Sequence, residues 1–196
     1  MSEFIEIEFK NILSKDEYDK VISYFNLQPE DCFEQLNIYY DTKDLILNKN
    51  KMALRTRIIN NTVELTLKQK TTKSTLETTD YITRDELNKL LKEHVIVNGA
   101  VIKKLNILNI DIKLYEIARL KTIRYEIDYF DNIIALDKSI YYNKIDYEIE
   151  LETKNYDYGK KVFNDLLKTL NIKRLVPKYK IARAFEYKKS LNNQRF

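Results

Sequence analysis

Residues 144–153 read Lys144-Ile145-Asp146-Tyr147-Glu148-Ile149-Glu150-Leu151-Glu152-Thr153, with apolar and acidic side chains alternating almost without a break. A strict period of two marks a β-strand whose two faces meet different surroundings. Ile145, Tyr147, Ile149 and Leu151 fall on one face; Asp146, Glu148, Glu150 and Glu152 fall on the other. Like charges two residues apart stand about 7 Å from one another, so an unshielded acidic row repels itself and raises its own pKa values. Such a face either meets bulk water or has cations among its carboxylates.

The same device recurs along the chain. Glu6, Glu8 and Lys10 oppose Ile5, Ile7 and Phe9 in residues 4–10, and Arg55 aligns with Arg57 in residues 52–59. Glu64, Thr66, Lys68 and Lys70 oppose Val63, Leu65 and Leu67 in residues 62–70; Thr122, Arg124, Glu126 and Asp128 oppose Ile123, Tyr125 and Ile127 in residues 120–129. Further strands are expected at 36–41, 75–82 and 133–137, and Asn60-Asn61 reads as a hairpin turn because Asn tolerates positive φ. Helices are expected at 14–25, behind a Ser14–Glu17 capping box, at 83–94, behind a Thr83–Glu86 box, at 156–170, and after Pro177 at 178–189. The amphipathic helices need an apolar sheet surface to cover. If they lie on the outside, the charged faces point inward. The expectation is an α+β fold: an eight-stranded antiparallel β-barrel with a wet, charged lumen and helices packed outside, formed by residues 1–196 as one domain.

Composition removes several reaction classes. Gly99 and Gly159 are the only glycines, so no glycine-rich phosphate loop can form, and any phosphate must be held by side chains. Cys32 and His94 each stand alone, which excludes an internal disulfide, cysteine zinc sites and two-histidine motifs; His94 is expected to be solvated. With 34 basic and 30 acidic residues the net charge is +4, too balanced to indicate nucleic acid. No stretch approaches the roughly 20 apolar residues of a membrane span, and residues 1–10 lack a signal-peptide core, so a cytoplasmic protein without membrane attachment is expected. A charged lumen of this kind suits a linear polyphosphate: converging Lys and Arg neutralise it, and clustered carboxylates hold Mg²⁺ or Mn²⁺ through oxygen.

The ordered motifs resemble the CYTH, or triphosphate tunnel metalloenzyme, superfamily. Glu6-Ile7-Glu8-Phe9-Lys10 is similar to its N-terminal signature, Tyr39-Tyr40-Asp41-Thr42 and Ala53-Leu54-Arg55-Thr56-Arg57 to its next two elements, and Glu64-Leu65-Thr66-Leu67-Lys68 to its lysine-bearing strand. Leu120-Lys121-Thr122-Ile123-Arg124, Leu136-Asp137, the acidic strand at 147–152 and Lys180-Ile181-Ala182-Arg183-Ala184 complete the series. Two positions depart from the pattern: Ala118-Arg119 stands where a glycine turn is usual, implying a wider hairpin, and Tyr179 replaces a serine before the C-terminal lysine.

The resemblance implies a metal-dependent hydrolase of triphosphate compounds, among which inorganic tripolyphosphate is favoured over thiamine triphosphate or another organic triphosphate because no added domain offers an organic pocket. It implies metal ligation by Glu6, Glu8, Glu148, Glu150 and Glu152, and phosphate contact by Lys10, Arg55, Arg57, Lys68, Arg124, Lys180 and Arg183. Lys10, with Glu6 and Glu8, takes the catalytic role. Glu64, Lys70, Glu126, Asp137 and Asp146 stay undivided between site and simple ion pairs. A class IV-like adenylate cyclase keeps the site and changes the nucleophile; a non-catalytic polyphosphate-binding module keeps only the cations. Nucleic acid is not expected as a partner, and the chain is expected to be a monomer or homodimer.

Overall fold

The computed structural model describes residues 2–107 and 113–193. Eight antiparallel strands run β1 (Ser2–Leu13), β2 (Cys32–Asp41), β3 (Met52–Ile59), β4 (Thr62–Lys70), β5 (Thr75–Tyr81), β6 (Tyr115–Tyr129), β7 (Asn132–Tyr141) and β8 (Lys144–Thr153). They are hydrogen-bonded in the order β1-β5-β4-β3-β2-β6-β7-β8, a closed barrel. Six helices lie between or after them among the described residues: α1 (Lys15–Tyr24), α2 (Ile46–Lys49), α3 (Arg84–Glu93), α4 (Ala100–Asn106), α5 (Tyr156–Thr169) and α6 (Lys180–Asn193). No helix among the described residues is long and apolar enough to cross a membrane.

The chain divides into two compact units, one of residues 1–5, 36–120 and 181–196, the other of residues 6–35 and 121–180. In the second unit, β8 pairs with β1 and β7, and β7 with β6. Its core is the apolar strand face, where Ile134, Leu136, Ile149 and Leu151 meet Tyr18 and Val21 of α1 and Phe163, Leu166 and Leu167 of α5. Fully burying a side chain such as Phe163 contributes roughly 2–3 kcal/mol, so these two helices fix which strand face is dry. In the first unit, β2, β3, β4 and β5 pair in sequence, and Leu54, Leu65 and Leu67 pack with Leu90 of α3 and Val101 and Leu105 of α4. In each unit the charged face is the one turned away from this packing.

Local signals explain the helix starts. Ser14 and Thr83 are N-caps with both halves of the capping box made, to Glu17 and Glu86. The turn between β3 and β4 has Asn60 at φ 52°. Two expectations fail. Ala118 and Arg119 lie within β6, not in a turn, because Ala118 is fully buried and continues the strand's alternation. His94 is half-buried, in the left-handed cap position of α3, with its ring 4.3 Å from that of Tyr115.

Candidate active site

The register of the second unit brings the charged residues together. Lys10 pairs with Glu150 and Glu8 with Glu152 across β1–β8, Glu148 pairs with Asp137 across β7–β8, and Asp137 pairs with Arg124 across β6–β7. The period of two that turns Ile149 and Leu151 toward α1 and α5 therefore places Glu148, Glu150, Asp137, Arg124 and Lys10 side by side on the other face. Lys180, the first residue of α6, reaches the same cluster.

These groups are paired with one another. Arg124 donates to both carboxylate oxygens of Asp137 at 2.7 Å and to Glu150 at 3.0 Å. Lys180 lies 2.6 Å from Asp137, 2.5 Å from Glu150 and 3.4 Å from Glu148. Lys10 lies 2.7 Å from Glu8 and 2.8 Å from Glu150. Asp137 is 0%, Glu148 1% and Glu150 3% exposed, so these carboxylates are buried among their ion-pair partners. Charges so buried persist only when mutually compensated.

The cluster splits its carboxyls. Burial raises Glu150, but Lys10, Lys180 and Arg124 outweigh it and hold this group well below the ordinary value. Burial likewise raises Asp137, and Arg124 and Lys180 reverse the effect. Glu148 goes the other way, to about 7: burial dominates, Lys180 offsets only part of it, and the Glu150 charge pushes further upward. Burial lowers Lys10, but Glu150, Glu8 and Glu148 hold it well above the usual lysine value.

The first unit carries its own charged face. Cross-strand rows run Tyr39–Arg55–Thr66–Thr79 and Asn37–Arg57–Glu64–Tyr81, with Lys68 paired to Glu77 beside them. Arg57 stands 3.9 Å from Glu64, and Lys68 forms an ion pair with Glu77. Arg55 is 8% exposed and makes no hydrogen bond or ion pair among the described residues. A buried guanidinium without an anion costs several kcal/mol. Arg183 is half-buried on α6, one turn after Lys180.

Of the residues expected at a site, Lys10, Glu8, Arg124, Glu148, Glu150 and Lys180 come together in the second unit. Glu152 pairs with Glu8, and Glu6 shares the same face of β1 by alternation. Arg55, Arg57 and Lys68 share the charged face of the first unit. Asp137, which its sequence alone does not divide between site and simple ion pair, lies at the centre of the cluster. Its signal was present: it is the only acid of β7, and it falls on the face opposite Ile134 and Leu136. Among the described residues no three His, Cys, Asp or Glu side chains converge as a ready cation cage, since Lys and Arg occupy the carboxylates. The donor set still fits a hard divalent ion: Glu8, Glu148, Glu150 and Glu152 offer oxygen ligands on two adjacent strands, and Glu148 is a carboxyl short of positive charge.

The CYTH domain family profile matches residues 5–185. A Bacillus subtilis (strain 168) protein described as "Putative triphosphatase YjbK" is 37% identical over 192 residues, covering 96% of this chain and 98% of its own length. The crystal structure of a Bacillus halodurans protein described as a "putative adenylate cyclase" superposes with a TM-score of 0.90 at 35% identity, over 94% of this chain and all of that one. HpAC1 from Hippeastrum, described as a "putative adenylyl cyclase" with a dominant triphosphatase activity, shares the fold at a TM-score of 0.72 and 20% identity, over 95% of this chain and 96% of its own.

Proposed function

The chain belongs to the CYTH domain family, and from that premise we propose that it is a metal-dependent triphosphatase, cleaving the terminal phosphoanhydride bond of a triphosphate compound. Inorganic tripolyphosphate is the favoured substrate; water attacks its terminal phosphorus, releasing orthophosphate with pyrophosphate as the leaving group. The observation that carries this reading is the convergence of Lys10, Arg124 and Lys180 on one largely buried face that also holds Glu8, Asp137, Glu148 and Glu150. Three cations match the oxygens of a polyphosphate, and a face needed only for anion binding has no use for so many carboxylates.

In this reading Lys10, Arg124 and Lys180 exchange carboxylate partners for phosphate oxygens, and Arg124 supplies the two-pronged geometry that suits them. Arg55, Arg57, Lys68 and Arg183 are assigned further phosphate contacts by the family resemblance, and Arg55, buried with no hydrogen bond or ion pair among the described residues, supports that assignment. Glu6, Glu8, Glu148, Glu150 and Glu152 would hold Mg²⁺ or Mn²⁺; the bound ion supplies charge neutralisation and an acidified water. Glu6 and Glu8 orient the attacking water beside Lys10, which holds the transferring phosphoryl oxygens. As charge builds on those oxygens, preorganised cations in a dry site stabilise it more than water does.

The test is product analysis with tripolyphosphate, thiamine triphosphate and ATP, each with Mg²⁺ and Mn²⁺. Orthophosphate release that is lost in Lys10→Ala and Arg55→Met is expected. Cyclic AMP with pyrophosphate from ATP would instead establish the cyclase reading, which the description of the Bacillus halodurans relative favours. Tight tripolyphosphate binding with no product under any metal would leave only a binding module.

A further inference from the structure

Directly after Lys10 in β1 stands Asn11, a polar side chain at 0% exposure. Its carboxamide is fully used. Nδ2 donates to the carbonyls of Ile12 at 2.9 Å and Lys173 at 3.0 Å; Oδ1 accepts from the Leu175 backbone N–H at 2.6 Å and from Arg174 Nη1 at 3.1 Å. The same Arg174 nitrogen donates to the Lys10 carbonyl, and the Ile12 N–H donates to the Leu175 carbonyl at 3.0 Å. Residues 173–175 are thus fastened alongside residues 10–12 by five hydrogen bonds, three of them through one amide. A buried amide is costly unless every polar atom is matched, and here three of the four matching bonds come from residues 173–175, a segment that has no helix or strand of its own.

That segment leads to Lys180, five residues beyond Leu175, with Pro177 between them removing φ freedom. Lys180 meets Glu150 at 2.5 Å and Lys10 meets Glu150 at 2.8 Å. Both ammonium groups therefore face one carboxylate, and both are carried by backbone that Asn11 ties together. We propose that Asn11 is a positioning residue: its amide clamps residues 173–175 onto β1 and thereby sets Lys180 beside Lys10. What the two cations do once placed rests on the triphosphatase reading; the clamp itself does not.

Two variants and two readouts test this. Asn11→Ala removes the amide. Arg174→Met removes two of the five bonds from an exposed side chain while keeping an apolar stem near the Phe163 ring, over which the guanidinium stands at 5.1 Å. In limited amine acylation followed by peptide mass spectrometry, Lys180 is expected to react about tenfold faster in Asn11→Ala and severalfold faster in Arg174→Met, because a displaced side chain loses its burial. Lys89, exposed on α3, serves as the unchanged reference. In phosphate release from tripolyphosphate, Asn11→Ala is expected to lower kcat/KM about tenfold in the native background and less than about twofold in Lys180→Ala, since residues acting through one another are not additive. An unchanged Lys180 acylation rate in both folded variants overturns the proposal, as does an undiminished Asn11→Ala effect in the Lys180→Ala background. If Asn11→Ala does not fold, Arg174→Met decides alone. If the native protein releases no phosphate, the triphosphatase reading falls while the acylation rates still decide the clamp.

Discussion

Glu148 and Glu150 stand two residues apart on one strand face, yet their carboxyls titrate on opposite sides of the ordinary value. Glu150 has Lys10, Lys180 and Arg124 within ion-pair distance; for Glu148, Lys180 at 3.4 Å and the charge of Lys10 offset burial only in part, and the Glu150 charge stands beside it. The consequence for stability has a definite sign. Glu148 is raised in the folded state to about 7 from 4.5, so between those values the folded protein keeps a proton that the unfolded chain has lost. Folding stability contributed by this group is therefore full below pH 4.5 and falls as pH rises toward 7. Asp137 and Glu150, whose values are lowered, act oppositely and lose their contribution only in acid. Glu148→Gln removes the first effect: in metal-free buffer it is expected to flatten the decline between pH 5 and 7 and to stabilise the protein by about 1–3 kcal/mol at pH 8. Urea unfolding across that range checks it, and a native-like decline in the variant refutes the assignment. The same variant is expected to lose activity, since this carboxyl is a proposed metal ligand.

At the scale of elements, Asp41 and Asp80 show how buried carboxylates organise what the sequence does not announce. Asp41 accepts from the backbone N–H groups of Thr42, Leu47 and Asn48 at 2.7, 2.9 and 3.0 Å and so holds the start of α2. Asp80 accepts from the Val101 N–H at 2.8 Å at the start of α4, 21 residues away. Neither helix was expected: α2 has only four residues, too few to show a helical period, and the partner that holds α4 lies 21 residues away. The strands β3, β4 and β8 match their expected bounds, because alternation and turn residues mark them from both sides. The strands β1, β2, β6 and β7 run longer than expected, β1 continuing through Asn11, which breaks the apolar alternation. Gly99, with φ +111°, carries the α4 junction, and a Cβ there would lie 2.3 Å from Asp80 Oδ2. Gly99→Ala is thus expected to destabilise the protein by about 2 kcal/mol or more, through backbone strain and loss of the Asp80 bond together. Chemical denaturation measures this. A shift below about 0.5 kcal/mol would mean that the junction relaxes freely.

Over the whole molecule, the modest net charge of +4 conceals a division. The unit of residues 1–5, 36–120 and 181–196 carries 19 basic against 12 acidic residues, net +7, whereas the unit of residues 6–35 and 121–180 carries 15 against 18, net −3. The face-by-face alternation that made the cation and carboxylate rows legible gave no sign of this partition, since it depends on which distant segments pack into one unit. A polyanion approaching the chain meets a field set by that excess before it meets any site residue, and such fields act on association more than on the bound state. For tripolyphosphate, kcat/KM is therefore expected to fall severalfold between about 20 and 300 mM salt while kcat changes little, as screening shortens the field's reach from about 20 Å to about 6 Å. Lys89 and Lys92 are exposed on α3 and belong to neither charged strand face. Reversing both, as Lys89→Glu with Lys92→Glu, is expected to lower kcat/KM about two- to fivefold at low salt and to leave it unchanged at high salt, with kcat constant throughout. Stopped-flow or steady-state phosphate release separates the two parameters. A loss that persists at high salt would place these lysines in contact with substrate, and no loss at low salt would mean that the charge excess of the unit does not reach the approaching anion.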